Sequence, residues 1–477
     1  GSSPPETDGA TTIPVIESMA RPVRFLRPAL VGPLRLTHPT WLSGGGETRM
    51  EWYGSMWNKR PEEVRMSHLP LGDIFHPRSI AVVGASAAST NLHTRMFLDP
   101  LIEFGYPGRI YPVNPKFQEV SGLKAYPNLR DIPGPVDHVI SLVPAAATPQ
   151  LLSDCVAKQV NSIQLFTAGF VETGEADGMK LQNELVRIAR SGGVRLLGPN
   201  CVGIYCPGSR ISYCADFPKQ AGRVAFIAQS GGYTYLAVRM AAGRGVHFGK
   251  VISYGNAADV NEADLFEFMA NDPETDIITA YMEGTADGQR FLRVLTEAAA
   301  KKPVIIIKKG RTEAGRRGTS SHTGALAGDD KVWDTALRQA GAIRVEDVDE
   351  MVDLLVTFLF MPVPRGRKVA VVGAGGGASV RAAEECEAGG LKLPTLPDSL
   401  RAEINRYFSL AGRMLRNPVD ILAEPLGDAA WVPVLKTLEG WPDEDVLLWQ
   451  MSPDMEPIRT EEFVRVVVDM RRGMVRS

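Results

Sequence analysis

A histidine in a polar, glycine-flanked stretch is the residue of this sequence best suited to covalent chemistry. His322 stands in Gly318-Thr-Ser-Ser-His322-Thr-Gly324 and is one of only seven histidines in the chain. This composition predicts an exposed, mobile loop. An exposed imidazole with freedom to move is suited to accept a phosphoryl group as a nucleophile. A histidine without a catalytic role is the alternative on local sequence alone.

Charged residues accompany this histidine in the sequence. Lys308 to Arg311 and Arg316-Arg317 supply positive charge upstream of His322. Glu283 follows the predicted strand Ile277–Met282. Its carboxylate would hold the second ring nitrogen of the histidine and fix its tautomer. A solvated carboxylate at the end of a strand is the alternative interpretation of Glu283.

A Ser-Gly-Gly corner between a strand and a helix is the next candidate. Gln229, Ser230, Gly231 and Gly232 follow the apolar run Val224–Ala228 and precede a helical stretch. The unpaired N–H groups and the dipole of a helix N-terminus attract anions. This corner is therefore predicted to bind phosphate. A simple N-cap formed by Ser230 is equally compatible with the sequence.

A second small-residue turn, Gly84-Ala-Ser86, follows the buried run Ser79–Val83. Such a turn lets a phosphate approach the backbone N–H groups of the following helix. The third glycine of a dinucleotide fingerprint is missing. Lys116 follows the next predicted strand, where an NAD site would have an acidic residue. The pair favours a nucleotide-like anion such as coenzyme A over a nicotinamide cofactor.

Two further loops follow predicted strands and carry Pro144 and Asn200. The carboxyl ends of parallel strands are where doubly wound sheets bind ligands. Both residues are also ordinary turn formers.

The elements that must position these residues form three series of short apolar strands alternating with helices, which is typical of parallel α/β folds. The series predict three units, at residues 70–215, 220–362 and 367–477, the last one apparently shortened. Residues 1–65 lack this periodicity and are expected to form an N-terminal extension or arm without a catalytic role.

Composition narrows the class of protein. The 477 residues are 44% hydrophobic and 22% charged, with a net charge of -3, so neither nucleic acid nor an anionic membrane is expected as a partner. The five cysteines are scattered, and reduced thiols in the cytoplasm are the simplest interpretation. The apolar stretch Met351 to Val363 is too short for a membrane span and predicts a core helix. No metal site is predicted.

Seven motifs of the sequence, among them Val113-Asn-Pro115 and Gly255-Asn256 with Asp259-Val260, occur in the order seen in NDP-forming acyl-CoA synthetases, which the chain resembles over roughly residues 70–470. They include Gly84-Ala-Ser86, Gly198-Pro-Asn200-Cys201, Gln229-Ser-Gly231, Glu283-Gly284 and Ser321-His-Thr-Gly-Ala-Leu-Ala-Gly328. The chain is similar to acetate–CoA ligase (ADP-forming) and, more distantly, to succinyl-CoA synthetase. The resemblance implies a Rossmann-like CoA-binding domain followed by two flavodoxin-like ligase domains, the first of which carries a phosphohistidine.

The resemblance also implies roles for individual residues. His322 is the residue phosphorylated and Glu283 the residue that orients it. Gln229, Ser230, Gly231 and Gly232 begin the helix that holds the phosphoryl group. Gly84, Ser86 and Lys116 face CoA, and we assign Pro144 and Asn200 to the same site.

The implied reaction converts an acid, CoA and NTP into acyl-CoA, NDP and phosphate through an acyl phosphate. No segment resembles an ATP-grasp fold, so the nucleotide and Mg²⁺ are expected on a beta-type ATP-grasp subunit, in a hetero-oligomer. Two alternatives stay open: a non-catalytic CoA-binding scaffold subunit and an NAD(P)-linked Rossmann oxidoreductase. Intact His322 and Glu283 argue against the first, and Lys116 argues against the second.

Overall fold

The computed structural model describes residues 71–87, 92–323, 328–373, 375–407, 415–420, 431–442 and 444–450. The predicted arm at residues 1–65 lies outside the described residues. The described chain contains three parallel or largely parallel sheets, one in each predicted unit. No helix among these residues is both long and apolar enough to cross a bilayer.

The first sheet has five parallel strands in the order β2-β1-β5-β6-β7, and a separate two-stranded hairpin β3-β4 lies beside it. Its central strands are buried along their whole length, which is why they occur as uninterrupted apolar runs in the sequence. The strands are β1 Ser79–Val83, β2 Arg109–Val113, β3 Glu119–Val120, β4 Leu123–Lys124, β5 His138–Ser141, β6 Ser162–Leu165 and β7 Arg195–Leu197. The helices are α1 Gly72–Phe75, α2 Leu92–Phe97, α3 Asp99–Glu103, α4 Thr148–Ala157 and α5 Ala176–Gly192.

The second sheet has six strands in the order β13-β12-β11-β9-β10-β8, and all pair in parallel except β8. The strands are β8 Gly203–Tyr205, β9 Val224–Ala228, β10 Phe248–Ser253, β11 Ile277–Met282, β12 Val304–Lys308 and β13 Ile343–Val345. The helices are α6 Gly231–Ala242, α7 Glu262–Asn271, α8 Gly288–Ala299, α9 Glu313–Thr323, α10 Asp330–Ala340 and α11 Val348–Phe360.

Strand β8 links the first two predicted units. The sequence analysis places residues 70–215 in the first unit, yet β8 pairs antiparallel with β10 of the second sheet. The chain therefore crosses between the two sheets after Leu197. Three residues carry too little periodicity to reveal such a strand in the sequence. The remaining predicted domain limits stay predictions.

The third sheet has three parallel strands in the order β15-β14-β16. Its strands are β14 Val369–Gly373, β15 Val419–Asp420 and β16 Val446–Trp449, and its helices are α12 Gly376–Ala388, α13 Asp398–Ile404 and α14 Trp431–Glu439. Residues 451–477 lie outside the described residues, so the predicted shortening of this unit stays a prediction.

The first and second sheets share one hydrophobic core. Tyr205 on β8 is fully buried and packs edge-on against Phe217, with ring centroids 5.0 Å apart, and against Phe104 of the first unit at 6.4 Å. Apolar residues of both sheets, such as Ile80 and Phe226, belong to the same cluster. This packing fixes how the carboxyl edges of the two sheets face each other.

Candidate active site between two sheet edges

The turn after β1 has no room for a side chain. Gly84 has φ +96°, and a β-carbon there would lie 3.1 Å from the carbonyl carbon of Leu142. Its N–H donates to the carbonyl oxygen of Val113 at 2.9 Å. Gly84 thus lies where β1 is flanked by β2 and β5, the point at which the strand order reverses and doubly wound sheets bind ligands.

The side chain of Asn114 connects the turn that contains Ser86 with the turn that contains Lys116 by hydrogen bonds. Asn114 is not among the site residues predicted from the sequence. Its Nδ2 donates to the carbonyl oxygen of Ala85 at 2.7 Å, and its Oδ1 accepts from the N–H of Lys116 at 2.9 Å. The N–H of Ser86 donates to Thr94 Oγ1 at 2.8 Å. Lys116 is exposed at this edge. The signal for Asn114 is its place directly after β2, because Asn side chains commonly hold turns.

Pro144 and Asn200 lie on the same sheet edge but at different distances from Gly84. Pro144 precedes the 3₁₀ turn Ala145–Ala147 that follows β5, the neighbour of β1. Asn200 follows β7, which is separated from β1 by β5 and β6. Three strand spacings amount to roughly 14 Å. Gly84, Ser86, Lys116 and Pro144 therefore cluster, whereas Asn200 lies at the far end of the edge.

Asn200 instead faces the second sheet. Its Nδ2 donates to Asn256 Oδ1 at 3.4 Å, and Asn256 Nδ2 donates to Glu172 Oε2 at 2.5 Å. A β-carbon at Gly255 would lie 2.3 Å from the carbonyl oxygen of Pro199, so the two backbones are in close contact. The carboxyl edges of the two sheets therefore meet at this polar junction.

The four predicted phosphate-binding residues of the corner before α6 differ in their contacts. Gln229 is buried, and its Oε1 accepts from the backbone N–H groups of Glu283 and Gly284, the latter at 3.0 Å. Ser230 has extended backbone at the N-cap, but its side chain makes no capping hydrogen bond. A β-carbon at Gly231 would lie 2.8 Å from Val202, whereas Gly232 has open space around it. Gln229 thus fixes the end of β11, Ser230 is buried at the N-cap, and Gly232 in the first turn of α6 is exposed.

Glu283 is only 2% exposed at the end of β11. Its Oε1 accepts a hydrogen bond from the hydroxyl of Tyr281 at 3.1 Å, and its carbonyl oxygen accepts from Lys308 Nζ at 2.8 Å. Burial lowers the pKa of Lys308 to about 8, and the nearby Arg344 adds to this effect. The structure therefore gives no support to the interpretation of Glu283 as a solvated strand-end carboxylate.

A cavity of about 520 Å³ opens in front of Glu283. Its walls come from α6, the end of β11, the segment after β12 and the first turns of α9. The lining residues are Ser230, Tyr233, Tyr281, Glu283, Lys309, Gly310, Arg311, Thr312, Gly315, Gly318 and Thr319. The cavity joins the predicted phosphate-binding corner to the predicted orienting carboxylate.

Position 322 lies in a helix, so the predicted loop is wrong for this residue. Helix α9 runs Glu313–Thr323, and His322 occupies its last turn. The N–H of Gly315 donates to Thr312 Oγ1 at 3.1 Å, an N-terminal cap, and Glu313 pairs with Arg317 at 3.0 Å. The cap, the acidic first turn and the i,i+4 pair favour a helix despite the glycines.

Helix α9 connects the cavity with the first sheet. Gly318 and Thr319 line the cavity, and position 322 follows one turn after Gly318. The same helix contacts the 3₁₀ turn Val171–Thr173, which follows β6 at the carboxyl edge of the first sheet. The helix that carries His322 therefore lies between the cavity and the edge on which the predicted CoA residues stand.

Comparisons with known proteins identify the family. Residues 78–207 match the family described as CoA binding domain, and residues 221–358 match the family described as succinyl-CoA ligase like flavodoxin domain. The predicted fold class is confirmed for the CoA-binding domain and the flavodoxin-like ligase domain that follows it, by these matches and by the α/β sheets described above.

Individual relatives agree with this class. The chain is 39% identical to the alpha subunit of acetate–CoA ligase (ADP-forming) II of Pyrococcus furiosus, over 79% of this chain and 81% of the relative. It is 36% identical to acetate–CoA ligase (ADP-forming) I of Archaeoglobus fulgidus, over 74% of this chain but only 50% of that longer relative. The solved structure of dinucleotide forming acetyl-coenzyme A synthetase 1 of Ca. Korarchaeum cryptofilum, in complex with phosphate and ADP, superposes with a TM-score of 0.73 and 33% identity, covering 84% of this chain and 86% of that one. The chain belongs to the family of NDP-forming acyl-CoA synthetases, on the side of their alpha subunits, which confirms the predicted resemblance.

Proposed function

We propose that this chain is the CoA-binding subunit of an NDP-forming acyl-CoA synthetase and that it carries the transferred phosphoryl group on His322. The observation that supports this most directly is the cavity in front of Glu283, because it combines an uncapped helix N-terminus, a buried carboxylate and the helix that bears His322. We assign the orienting role to Glu283 and the phosphate-binding role to Ser230, Gly231 and Gly232, with Gln229 holding Glu283 in place.

In the direction of synthesis, the carboxylate oxygen of the acid attacks the phosphorus of phosphorylated His322. The P–N bond breaks, an acyl phosphate forms, and the imidazole recovers its lone pair. The thiolate of CoA then attacks the acyl carbon, and the C–O bond to phosphate breaks to release inorganic phosphate. The protein contributes positioning and charge stabilisation, which dominate catalysis of phosphoryl transfer.

The turn at Gly84 and the charge of Lys116 support the proposed binding of CoA. Gly84 carries no side chain and lies too close to Leu142 to accept one, and Lys116 is an exposed positive charge on the same sheet edge. A phosphate of CoA would therefore meet backbone rather than a side chain at this turn. Because the edges of the two sheets meet at Asn200 and Asn256, CoA bound along the first edge extends toward α9 and the cavity. Pro144 follows β5, which lies between the strand before Gly84 and the strand before Asn200 in the sheet.

We further propose an ATP-grasp beta-type subunit as the partner, with the nucleotide and Mg²⁺ bound there and with a hetero-oligomer in the cytoplasm as the working form. Some relatives are named alpha subunits, whereas the match covers only 50% of a longer relative whose name mentions no subunit. A nucleotide module supplied by a second chain accounts for both arrangements. The acid stays open, with acetate as the first candidate.

The phosphorylation half of the reaction tests the proposal without a nucleotide. Incubation of the chain with acetyl phosphate should add one phosphoryl group, stable in base and labile in acid, as detected by intact-mass spectrometry. His322→Asn should abolish the modification, while His93→Asn, a histidine of the first unit, should not affect it. Equal modification of the His322 variant would refute the assigned role.

The two alternative functions, a scaffold subunit and an NAD(P)-linked oxidoreductase, predict different results. A scaffold subunit would bind CoA but would not be phosphorylated. An oxidoreductase would bind NADH in preference to CoA, which calorimetry with both ligands distinguishes.

A further inference from the structure

Tyr281 and Glu283 are joined by a hydrogen bond at the end of β11. They stand two residues apart, and side chains at this spacing along a strand point to the same face. The hydroxyl of Tyr281 donates to Oε1 of Glu283 at 3.1 Å, and the two residues are 5% and 2% exposed. A hydrogen bond shielded from water to this degree orients its acceptor more strongly than a surface contact.

The ring of Tyr281 is held by α6. It stacks on Tyr233 with ring centroids 3.9 Å apart and an interplanar angle of 25°. Tyr233 is the third residue of α6, whose first turn is the proposed phosphate-binding corner. The stack therefore ties the direction of the Tyr281 hydroxyl to the helix that would hold the phosphoryl group.

Tyr281 remains a hydrogen-bond donor at neutral pH. Burial raises the pKa of its phenol well above the usual value, and the charge of Glu283 raises it further. The neutral hydroxyl thus faces the carboxylate under all conditions in which the protein would act.

The backbone of Glu283 is fixed by other groups. Gln229 accepts from its N–H, and Lys308 donates to its carbonyl oxygen. These contacts set the position of the Cα atom but leave the side-chain torsions to contacts made by the carboxylate itself. A catalytic group is held in its productive geometry by such supporting hydrogen bonds.

We propose that Tyr281 is a positioning residue for phosphoryl transfer, which acts by holding Oε1 of Glu283 and so fixing the direction in which its second oxygen is presented. This inference rests on the proposed function, because it assigns Tyr281 a role only through Glu283. It adds a residue of β11 and its stacking partner on α6 to the apparatus that orients His322.

The test compares two buried tyrosines that differ in their hydrogen-bond acceptor. Tyr281→Phe removes the hydroxyl and retains the stacked ring. Tyr213→Phe removes an equally buried hydroxyl that bonds Thr234 Oγ1 at 2.7 Å and lies outside the cavity lining. The rate of phosphorylation by acetyl phosphate is measured for each variant, with the melting temperature and CoA affinity of the same preparations.

Tyr281→Phe should slow phosphorylation by about tenfold or more, the fold-change expected from loss of a hydrogen bond to a charged group. Its CoA affinity should stay unchanged, and Tyr213→Phe should be phosphorylated at the wild-type rate. If the Tyr281→Phe and Tyr213→Phe rates are equal, the positioning role is refuted. If the wild-type chain is not phosphorylated at all, the proposed function itself fails, so the two failures are distinguishable.

A double-mutant cycle separates a positioning role from a purely structural one. If Tyr281 acts through Glu283, adding Tyr281→Phe to Glu283→Ala should leave the residual rate of the Glu283→Ala protein unchanged. A further tenfold loss in the double variant would mean that Tyr281 affects the cavity independently of Glu283, and would overturn the inference.

Discussion

Asn256, just after β10, donates its Nδ2 to Oε2 of Glu172 at 2.5 Å and thereby links the carboxyl edges of two different sheets. Glu172 belongs to the 3₁₀ turn that contacts α9, and its Oε1 accepts from the N–H of Gly169 at 2.6 Å. One amide therefore fixes the turn on which the His322-bearing helix rests. Side chains of the protein therefore couple the carboxyl edges of the two sheets.

Lys116→Ala should weaken CoA binding. The side chain is exposed beside the Gly84 turn, and it would lose one charge-assisted contact to phosphate, worth about 1.5–3 kcal/mol. Calorimetric titration with CoA measures the loss, which corresponds to roughly 10- to 150-fold in affinity. Lys180→Ala changes an equally exposed lysine on α5 and should bind CoA normally. Unchanged affinity in the Lys116 variant would remove this residue from the CoA site.

Gly84→Ala should destabilise the fold and impair CoA binding together. The φ of +96° and the 3.1 Å approach to Leu142 would both oppose a β-carbon, at a cost of about 1–3 kcal/mol. Gly122→Ala is the matched control, because Gly122 also has positive φ, +78°, but nothing lies within 4 Å of its added β-carbon. Denaturant unfolding should show the larger loss for Gly84. An equal loss at both positions would mean that the close approach to Leu142 has no energetic consequence.

His138 should make the protein less stable in acid. Burial lowers its pKa from 6.5 to about 4, while a hydrogen bond with Gln164 acts in the opposite direction. Between these values the unfolded chain binds a proton that the folded chain does not, so stability falls as the pH drops from 6.5 to 4. The total loss is roughly 3 kcal/mol.

Denaturant unfolding at a series of pH values measures this loss. His138→Gln should reduce the slope of unfolding free energy against pH in that window. A slope that is the same in wild type and His138→Gln would show that other groups cause the acid sensitivity.

The strands that position the site are predictable from the sequence, whereas the contacts between the two sheets are not. Buried runs such as Val224–Ala228 and Ile277–Met282 have the predicted bounds because a strand buried on both faces must be apolar throughout. The carboxyl ends of such strands place Gly84, Ser230 and Glu283 at sheet edges. The junction of Asn200 with Asn256 depends on how two sheets pack, and no local pattern encodes that packing.

The predicted loop at position 322 is wrong for a physical reason. The glycine, serine and threonine residues of α9 lower its helix propensity and so predict a loop, but the Thr312 cap and the Glu313–Arg317 pair outweigh them locally. Of the two interpretations of Ser230, the N-cap position is the one observed, but its side chain makes no capping bond. The contact between Tyr281 and Glu283 is compatible with their i,i+2 spacing, which places both side chains on one face at the end of β11.

The chain should catalyse the acyl-transfer half of the reaction alone and the complete reaction only with an ATP-grasp subunit. We assign CoA and His322 to this chain and the nucleotide to a partner. Given acetyl phosphate and CoA, the chain alone should therefore form acetyl-CoA and phosphate. Given ATP, Mg²⁺, acetate and CoA, it should form none, because no nucleotide phosphate reaches His322.

Addition of an ATP-grasp beta-type subunit should restore ATP-dependent synthesis, and His322→Asn should abolish it again. In the same assay the His322 variant should still convert acetyl phosphate and CoA, because that step does not pass through the imidazole. Acetyl-CoA is quantified by chromatography in every case. Rapid ATP-dependent synthesis by the chain alone would contradict the division of sites between two subunits. Failure of both half-reactions with intact CoA binding would favour the scaffold subunit instead.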